Sequence, residues 1–406
     1  MSRGRQPESI REVVTHGLCI GCGLCEALAP ARWAMLMNAG GRLRPAPVTA
    51  EDPDADAEIL AACPGVVARA EAQGDKADAV WGSYVHMGAA WAGDADIRFR
   101  AASGGVLTAL GVHLLRTGKA AFILHCAADP ARPMRSTWVI SETPDAVAAR
   151  AGSRYGPTDT LAGLEAALAR GQPFAIIAKP CDAGAVRARA RADARLDRLL
   201  VAMLVMVCGG ASDLGKSQAV LDELGVEEEA LALFRYRGHG NPGPTRVETR
   251  EGSAFEKTYQ EMWADEAGWR IQTRCKLCPD AIGEAADIAA ADIWPGAEPE
   301  GEDAGFNGVI LRSPAGQALF DDAVAAGDLV QGRDHAPRDY DGFQPHQVHR
   351  KRAMAARLRG LVAAGWPVYA HEGLRLTELD ARDEDEEAGA FQRAQSGQFR
   401  DAMPGE

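Results

Sequence analysis

Short apolar runs and one longer apolar segment alternate through the middle of the chain. Residues 106–115 (VLTALGVHLL) predict a buried helix that ends near Gly118, and Ser103 stands where it could cap the first turn. Three other runs are short, apolar and bounded by glycine or polar residues, which is typical of buried strands. These runs are 121–126, 174–178 and 199–207. The alternation indicates an α/β fold class with α+β elements.

Length and composition place the chain among ordinary globular proteins. Its 406 residues predict two or three domains, and 47% hydrophobic with 25% charged residues excludes collagen-like, disordered and coiled-coil classes. The chain has no apolar run of about 18 residues, and its start lacks the apolar core of a secretory signal. We therefore expect a cytoplasmic protein without a membrane span. The net charge of −13 repels phosphates and disfavours nucleic-acid binding.

A first group of cysteines has the spacing of an iron–sulfur motif. Cys19, Cys22 and Cys25 form a C-x-x-C-x-x-C run, and Cys63 is followed by proline, as is the remote cysteine of bacterial ferredoxins. The second cysteine run of a two-cluster ferredoxin is missing, so the pattern predicts a ferredoxin-like module with one 4Fe–4S cluster. A structural zinc site is the alternative, although zinc motifs usually come as two C-x-x-C pairs.

The remaining cysteines include a second set of four. Cys181 and Cys208 each follow a predicted strand, and Cys275 and Cys278 have the spacing of a chelating pair. Open α/β sheets bind ligands at the carboxyl ends of their strands, so we expect these cysteines near one site. The ninth cysteine, Cys126, lies alone in an apolar strand, where structural packing is a better interpretation than a reactive thiol.

A Ser-Gly-Gly sequence precedes the predicted helix. Ser103, Gly104 and Gly105 would offer free amides and close backbone approach, which suit a phosphate or the edge of a flavin. The alternative is a capped helix that binds no ligand.

In combination, these motifs resemble the beta subunit family of coenzyme F420 hydrogenase/dehydrogenase. Relatives of that family include ferredoxin-dependent reductases of the chlorophyll pathway, such as 7-hydroxymethyl chlorophyll a reductase. The resemblance extends from about Cys19 to about residue 375. The matching motifs are Cys19 to Cys25 with Cys63-Pro64, Arg100 to Gly105, Lys179-Pro180-Cys181, Cys208-Gly209, Tyr236-Arg237-Gly238 with Pro242-Gly243, Arg274 to Asp280 with Ala286 to Ile288, and the block from His346 to His371.

The resemblance implies FAD and two 4Fe–4S clusters as cofactors. By this analogy the Ser103, Gly104 and Gly105 segment contacts the flavin, and the second cysteine set holds the second cluster. For further residues the resemblance suggests a place in the FAD environment, with an ordinary ion pair or turn role as the alternative. These candidates are Thr108, Tyr155, Lys179, Asp182, Arg237 and Asp292.

The cofactors together predict an oxidoreductase. Electrons would pass singly from ferredoxin or a similar donor through the two clusters to FAD, and then as hydride to a small organic substrate. Candidates for the proton donor are His239, Tyr155 and Lys179. One alternative is a subunit that oxidises or reduces coenzyme F420 within a larger complex, with Arg132, Arg135 and Arg154 as a basic pocket. Another is a non-catalytic electron-transfer module.

The same features divide the chain into four parts. We predict a ferredoxin-like 4Fe–4S module over 1–75, a flavin-binding part of a mixed-sheet core over 76–195, and a second part of the core with the second cluster over 196–375. Residues 376–406 form an acidic tail, which we expect to be a frayed helix or a solvated segment. The sequence leaves the substrate, the donor, the direction of electron flow and a homo-oligomeric state open.

Overall fold

The computed structural model describes residues 4–52, 54–299, 301–379, 384–395 and 400–406. Within them the strands are β1 (Trp33–Met37), β2 (Leu43–Pro47), β3 (Val67–Arg69), β4 (Lys76–Asp78), β5 (Gly82–Tyr84), β6 (His86–Ala92), β7 (Phe122–Ala128), β8 (Ser136–Ser141), β9 (Phe174–Ala178), β10 (Leu200–Met206), β11 (Leu231–Arg235), β12 (Thr245–Thr249), β13 (Ala254–Lys257), β14 (Ile288–Asp292), β15 (Asn307–Leu311), β16 (Leu329–Asp334) and β17 (Ala370–Glu372).

The α-helices are α1 (Ile10–Thr15), α2 (Leu24–Leu28), α3 (Ala57–Ala62), α4 (Ala95–Arg100), α5 (Val106–Arg116), α6 (Pro144–Ala148), α7 (Leu164–Ala169), α8 (Pro180–Ala190), α9 (Ala194–Leu199), α10 (Gly215–Leu224), α11 (Tyr259–Trp263), α12 (Thr273–Lys276), α13 (Pro314–Ala325), α14 (Pro337–Phe343), α15 (Pro345–Arg352), α16 (Met354–Ala363) and α17 (Glu384–Gln395). Short 3-10 helices lie at Thr160–Gly163, Glu228–Ala230, Glu266–Trp269 and Pro295–Ala297.

An eight-stranded mixed sheet forms the centre of the molecule. Its strand order is β16-β6-β15-β14-β10-β9-β7-β8. The four strands β7, β9, β10 and β14 are mutually parallel, and the outer pairs are antiparallel. The sheet crosses the boundary predicted at 195, since β9 pairs with β10. The two predicted parts of the core therefore build one sheet, in agreement with the α/β class.

Helices cover both faces of this sheet, which explains why its strands read as continuous apolar runs. Phe174 and Ile176 of β9 pack on one side in the same cluster as Leu164 and Val186 of α7 and α8. The intervening Ala175 faces the other side, in a cluster with α5 and α13. The three strands and the helix predicted from the apolar runs are all present, with ends within two residues of the predicted ones.

The predicted cap of α5 is wrong. The residue that caps the helix is Gly105, whose φ of 77° lies in the left-handed region that glycine adopts without strain. Ser103 instead donates its hydroxyl hydrogen bond to the carbonyl oxygen of Phe306, at 2.9 Å. A tertiary contact with the start of β15 therefore takes the side chain away from the helix.

The residues before the central sheet form a compact module around α1, α2 and α3. The antiparallel hairpin of β1 and β2 lies between α2 and α3 in sequence. The backbone N–H of Leu161, from the core, donates to the carbonyl oxygen of Cys22 at 2.9 Å, so the cysteine loop is docked on the core. Strand β3 pairs in parallel with β17, which ties the module to a segment about 300 residues later.

The described part of the predicted tail, 376–406, is packed against the rest of the chain. Ala390 of α17 is fully buried in a cluster with α16, and Met403 is 1% exposed in a core shared with Trp33. The expectation of a frayed or solvated segment is wrong for these residues, because their apolar side chains have partners elsewhere in the fold. Residues 380–383, in the acidic run, lie outside the described part. Among the described residues, no helix has the length and apolar character needed to cross a bilayer.

Candidate functional site

Several of the predicted site residues lie at one edge of the central sheet. Lys179 directly follows β9, Cys208 lies two residues after β10, and Asp292 is the last residue of β14. Because these three strands are parallel, their carboxyl ends meet at the same edge. This edge is where open α/β sheets bind their ligands.

The first cysteine set lines a partly open cavity at the side of the module. Its sulfur-bearing lining residues are Cys19, Cys22, Cys25 and Cys63. The other walls are largely apolar and come from α1, the cysteine loop and the β1–β2 hairpin. The structure thus brings the predicted four residues of this set around one space.

Glycines let the cysteine loop turn tightly enough to do this. Gly21 and Gly23 have φ values of 71° and 90°, and a Cβ atom on Gly21 would lie 2.3 Å from the carbonyl oxygen of Leu43. The amide of Gly21 donates to Cys19 Sγ at 3.3 Å. The amide of Gly65 donates to Cys63 Sγ at 3.4 Å. Amide hydrogen bonds to sulfur are among the contacts that tune iron–sulfur clusters.

Burial keeps these thiols protonated in the absence of a cation. It raises the pKa of Cys63 to about 12, and the charge of Cys19 adds to the rise. Burial also raises the pKa of Cys22 and Cys25 well above the ordinary value of a thiol, with the other members of the set contributing. Ionised sulfurs in this space therefore need positive charge close by, as metal ions supply when they displace thiol protons.

The second cysteine set is assembled from three separate segments. Cys181 lies in the first turn of α8, Cys208 follows β10, and Cys275 and Cys278 lie in and just after α12. Burial raises the pKa of Cys208 to about 12, and the charges of Cys275 and Cys278 add to the rise. The amide of Ala211 donates to Cys275 Sγ at 3.3 Å.

A second, partly open cavity adjoins this set. Cys181 and Cys278 line it together with Arg274 and Pro64. Pro64 also lines the cavity of the first set, so the two cavities share a wall residue. In the part of the chain that the structure describes, no group of three or more histidine, cysteine and carboxylate side chains is arranged to hold a metal ion. The assignment of both sets as cluster ligands stays a prediction.

Arg237 contacts two other predicted FAD residues, Tyr155 and Asp292. Its Nη1 donates to the hydroxyl of Tyr155 at 3.0 Å and to Asp292 Oδ2 at 2.9 Å, and its Nη2 donates to the carbonyl oxygen of Ala102. The side chain is 3% exposed and lies against the rings of Tyr259 and Trp294, at 5.3 and 4.9 Å. Burial works against the charge, but Asp292 outweighs it, and the pKa of Arg237 is raised.

The Ser-Gly-Gly segment follows Ala102, which contacts Arg237, and it packs closely against the start of β15. A Cβ atom on Gly104 would lie 2.6 Å from the amide nitrogen of Asn307. The amide of Val106, in the first turn of α5, donates to Asn307 Oδ1 at 3.2 Å. These packing contacts are enough to explain the glycines, and no bound ligand is needed to account for them. Thr108 is half-buried on the next turn, and its predicted contact with flavin stays a prediction.

Lys179 and Asp182 form a buried ion pair near the second set. Lys179 Nζ lies 3.0 Å from Asp182 Oδ2 and donates to the carbonyl oxygen of Thr158 at 3.0 Å. Burial alone would lower the pKa of Lys179, but the neighbouring Asp182 outweighs burial and raises it. Lys179 is therefore held charged, with its protons directed to oxygen atoms of the protein.

His239 differs from the other two proton-donor candidates. It is exposed, has a φ of 60°, and contacts the ring of Phe99 edge to face at 5.3 Å. In the described residues no hydrogen bond or ring contact joins it to Tyr155 or Lys179. Burial together with Arg235 and Arg100 lowers its pKa.

The arginines predicted as a basic pocket for an anionic coenzyme have protein partners instead. Arg135 pairs with Glu228 at 2.6 Å, and Arg132 lies 3.7 Å from Asp129. Arg154 donates to backbone carbonyl oxygens, including that of Phe234 at 3.0 Å. Arg135 and Arg154 are thus engaged within the fold and Arg132 is largely exposed, and their role as a basic pocket stays a prediction.

Sequence reasoning missed several residues that complete these sites. Tyr259 and Trp294 flank Arg237, and the position of Trp294 two residues after β14 was the available signal. Arg274 lies between the two cysteine sets, and its proximity to Cys275 was the available signal. Arg44 is fully buried and pairs with Asp401 at 2.7 Å, a contact that no local pattern predicts.

Comparisons with known proteins match the core of the chain. The sequence model described as the N-terminal part of the coenzyme F420 hydrogenase/dehydrogenase beta subunit matches residues 87–165, and the model of its C terminus matches 171–333. These ranges span more than half of the chain. They include the whole second cysteine set and none of the first. A search of curated proteins found no match.

Among solved structures, the chain is similar to a chain of the xenon-derivatised F420-reducing NiFe hydrogenase complex from Methanosarcina barkeri. The identity is 20% and the TM-score 0.51, and the match covers 68% of this chain and 95% of that chain. This likeness shows a shared fold. With the two sequence models it confirms the resemblance predicted from the motifs. The chain therefore belongs to the coenzyme F420 hydrogenase/dehydrogenase beta subunit family.

Proposed function

We propose that the chain is an oxidoreductase subunit that exchanges electrons between iron–sulfur clusters at its two cysteine sets and coenzyme F420, in association with a partner protein. The observation that carries the proposal is the place of the second cysteine set, which lies at the carboxyl edge of the core that both family models match. The family thus favours an F420-linked subunit over a self-contained reductase of an organic substrate.

The cysteines present suit 4Fe–4S clusters. Each set offers four thiols, a cavity beside them and an amide hydrogen bond to at least one sulfur atom. These are the ligands and contacts that such a cluster requires, and a bound cluster supplies one-electron transfer. Pro64 lines both cavities, so the two sets adjoin, as electron transfer between them requires.

For FAD we propose the edge of the sheet beside Arg237. FAD, when bound, supplies the exchange between one-electron and two-electron chemistry that links clusters to a hydride carrier. Arg237 provides a fixed cation there, with the rings of Tyr259 and Trp294 against it and the hydroxyl of Tyr155 bonded to its Nη1. An aromatic wall with one buried charge suits a planar, polar ring system.

Of the three proton-donor candidates, we propose Tyr155. Its hydroxyl accepts from Arg237, and among the described residues it donates to none, so its own proton is available to a ligand. Lys179 donates its Nζ protons to Thr158 and Asp182, so we assign it a positioning role rather than that of proton donor. Among the described residues, His239 contacts neither Tyr155 nor Lys179.

The second candidate is a ferredoxin-dependent reductase of a small organic substrate. It is favoured by the first cysteine set, because that module lies outside the ranges matched by the family models. A module of this kind gives the chain its own entry point for single electrons.

The test is an anaerobic preparation analysed for iron, sulfide and flavin and then assayed in two arms. In one arm reduced F420 is the electron source and a viologen dye the acceptor, and in the other reduced ferredoxin is offered with FAD. We expect about eight iron atoms per chain and dye reduction by F420. Flavin reduction by ferredoxin without any reaction of F420 would favour the second candidate. A preparation free of iron and sulfide, even after reconstitution, would contradict both.

Serine variants assign the iron to each set. We expect Cys22→Ser and Cys181→Ser each to lose about four iron atoms per chain, because each removes one ligand of a four-thiolate site. Cys126→Ser is the matched control, since Cys126 is a partly buried thiol on β7 outside both sets, and it should retain all the iron. Equal iron in all three variants would remove the assignment.

A further inference from the structure

We propose that Arg274 is a positioning residue shared by the two cysteine sets, whose fixed positive charge raises the reduction potential of both clusters. The inference rests on the proposed function, since it requires a cluster at each set. It concerns a residue that the fold places between the sets.

The contacts of Arg274 reach both sets. The residue belongs to α12, directly before Cys275, and it lines the second cavity together with Cys181. Its Nη2 donates to the carbonyl oxygen of Pro64 at 2.7 Å, next to Cys63 of the first set. Its guanidinium group therefore spans the boundary between the two cavities.

The position of the guanidinium group is fixed by its surroundings. Arg274 is 3% exposed, and its Nη1 donates to the carbonyl oxygen of Leu277 at 2.9 Å. The group lies over the ring of Tyr369, 4.7 Å from the ring centroid. A charge held in this way costs no reorganisation when the charge of its surroundings changes.

Arg274 has a different charge environment from two other buried arginines, Arg44 and Arg237. Arg44 pairs with Asp401 and Arg237 with Asp292. Among the described residues, no carboxylate forms an ion pair with Arg274, and its Nε is buried without a hydrogen-bond partner. A buried cation without a partner is costly, and sulfur atoms carrying negative charge on both sides would balance it.

The direction of the effect follows from electrostatics. Reduction adds negative charge to a cluster, so a nearby cation stabilises the reduced form and raises the potential. Arg350 provides a comparison within the same protein. It donates to the carbonyl oxygens of Cys208 and Gly209, at 3.1 and 2.7 Å, and therefore acts at the second set alone.

The experiment is a redox titration of the reconstituted full chain, followed by electron paramagnetic resonance. We expect Arg274→Gln to lower the midpoint potentials of both clusters, and Arg350→Gln to lower only that of the second. Arg274→Lys keeps the charge without the planar fork and should leave both potentials close to those of the wild type. A shift of one potential only in Arg274→Gln, or of neither, would overturn the inference.

Arg274→Lys also tests the inference if Arg274→Gln fails to bind its clusters. If Arg274→Lys binds both clusters but lowers both potentials, the charge is not the cause and the inference fails. Failure of the proposed function looks different, because the wild-type protein itself would then show fewer than two cluster signals. Wild-type protein with two signals and unchanged potentials in both Arg274 variants contradicts the role of Arg274 alone.

Discussion

A buried histidine on β7 makes the stability of the fold depend on pH. His125 is 6% exposed, and its Nε2 lies 2.8 Å from Ser141 Oγ. Burial, with a smaller contribution from Arg150, lowers its pKa to about 4. The unfolded chain takes up this proton below about pH 6.5 and the folded chain only near pH 4, so stability is lost as the pH falls through this window.

We expect His125 alone to reduce the free energy of unfolding by about 2 kcal/mol between pH 7.5 and pH 5. The measurement is urea unfolding of the wild type and of His125→Gln at both pH values. Glutamine keeps a polar group near Ser141 and cannot take up the proton, so the variant should lack this part of the loss. An equal loss in the two proteins would show that His125 is not responsible.

At single positions, the sequence predicted what depends on local spacing. The two cysteine sets follow from the spacing of Cys19 to Cys25 and of Cys275 to Cys278, and the structure gathers the first set around one cavity. The cap at Ser103 was wrong because the partner of its hydroxyl, Phe306, lies about 200 residues away. The residues around Ser103 do not reveal that a distant carbonyl oxygen accepts its hydroxyl hydrogen bond.

Among the elements, the short helix α2 depends most on one glycine. Gly23 precedes it with a φ of 90°, and a Cβ atom there would lie 2.5 Å from the amide nitrogen of Ala162. Gly23→Ala should therefore push Cys25 away from the core and lower the free energy of unfolding by about 2 to 4 kcal/mol. It should also reduce the iron bound at the first set.

The control for this change is Gly342→Ala. Gly342 lies in α14, and a Cβ atom added there would meet nothing within 4 Å, so alanine should stabilise the helix by up to about 1 kcal/mol. Urea unfolding and iron analysis of both variants form the measurement. Equal stability of the two would mean that the close approach of Gly23 to Ala162 is not limiting.

Strands were predictable where their composition is distinctive. The strands at the centre of the sheet, β9 and β10, are rich in branched and aromatic residues and buried on both faces, so their apolar runs predicted them. Strand β14 reads IAAAD and β6 reads HMGAAWA, and alanine and glycine favour strands little. Their neighbours in the sheet, rather than their own residues, make them strands.

At the scale of the whole molecule, one buried arginine joins the segment near position 400, the first module and the core. Arg44 of β2 is fully buried and contacts both Asp401 and Gln272, at 2.7 and 3.0 Å. Gln272 directly precedes α12 of the second set. Sequence reasoning did not find this connection, because its three members are separated by more than 100 residues and each alone looks like an ordinary surface residue.

Asp401→Asn tests this connection. It leaves the buried Arg44 without a counter-charge, and we expect a loss of about 3 to 5 kcal/mol in the free energy of unfolding. The control is Glu406→Gln, because the pair of Glu406 with Arg11 is exposed on both sides and solvent screens it, so its loss should have little effect. Thermal and urea unfolding compare the two. A small effect of both would show that the charge of Asp401 is dispensable.

The packing of Met403 against Trp33 also means that the first module is completed only after the end of the chain has been synthesised. Asp401 and Met403 leave the ribosome about 380 residues after Cys19, which at about 5 to 20 residues per second is a delay of roughly 20 to 80 s. For that time the thiols of the first set lack their outer cover. The iron and sulfide of the cluster proposed at this set would therefore have an open route to the thiols until this cover forms.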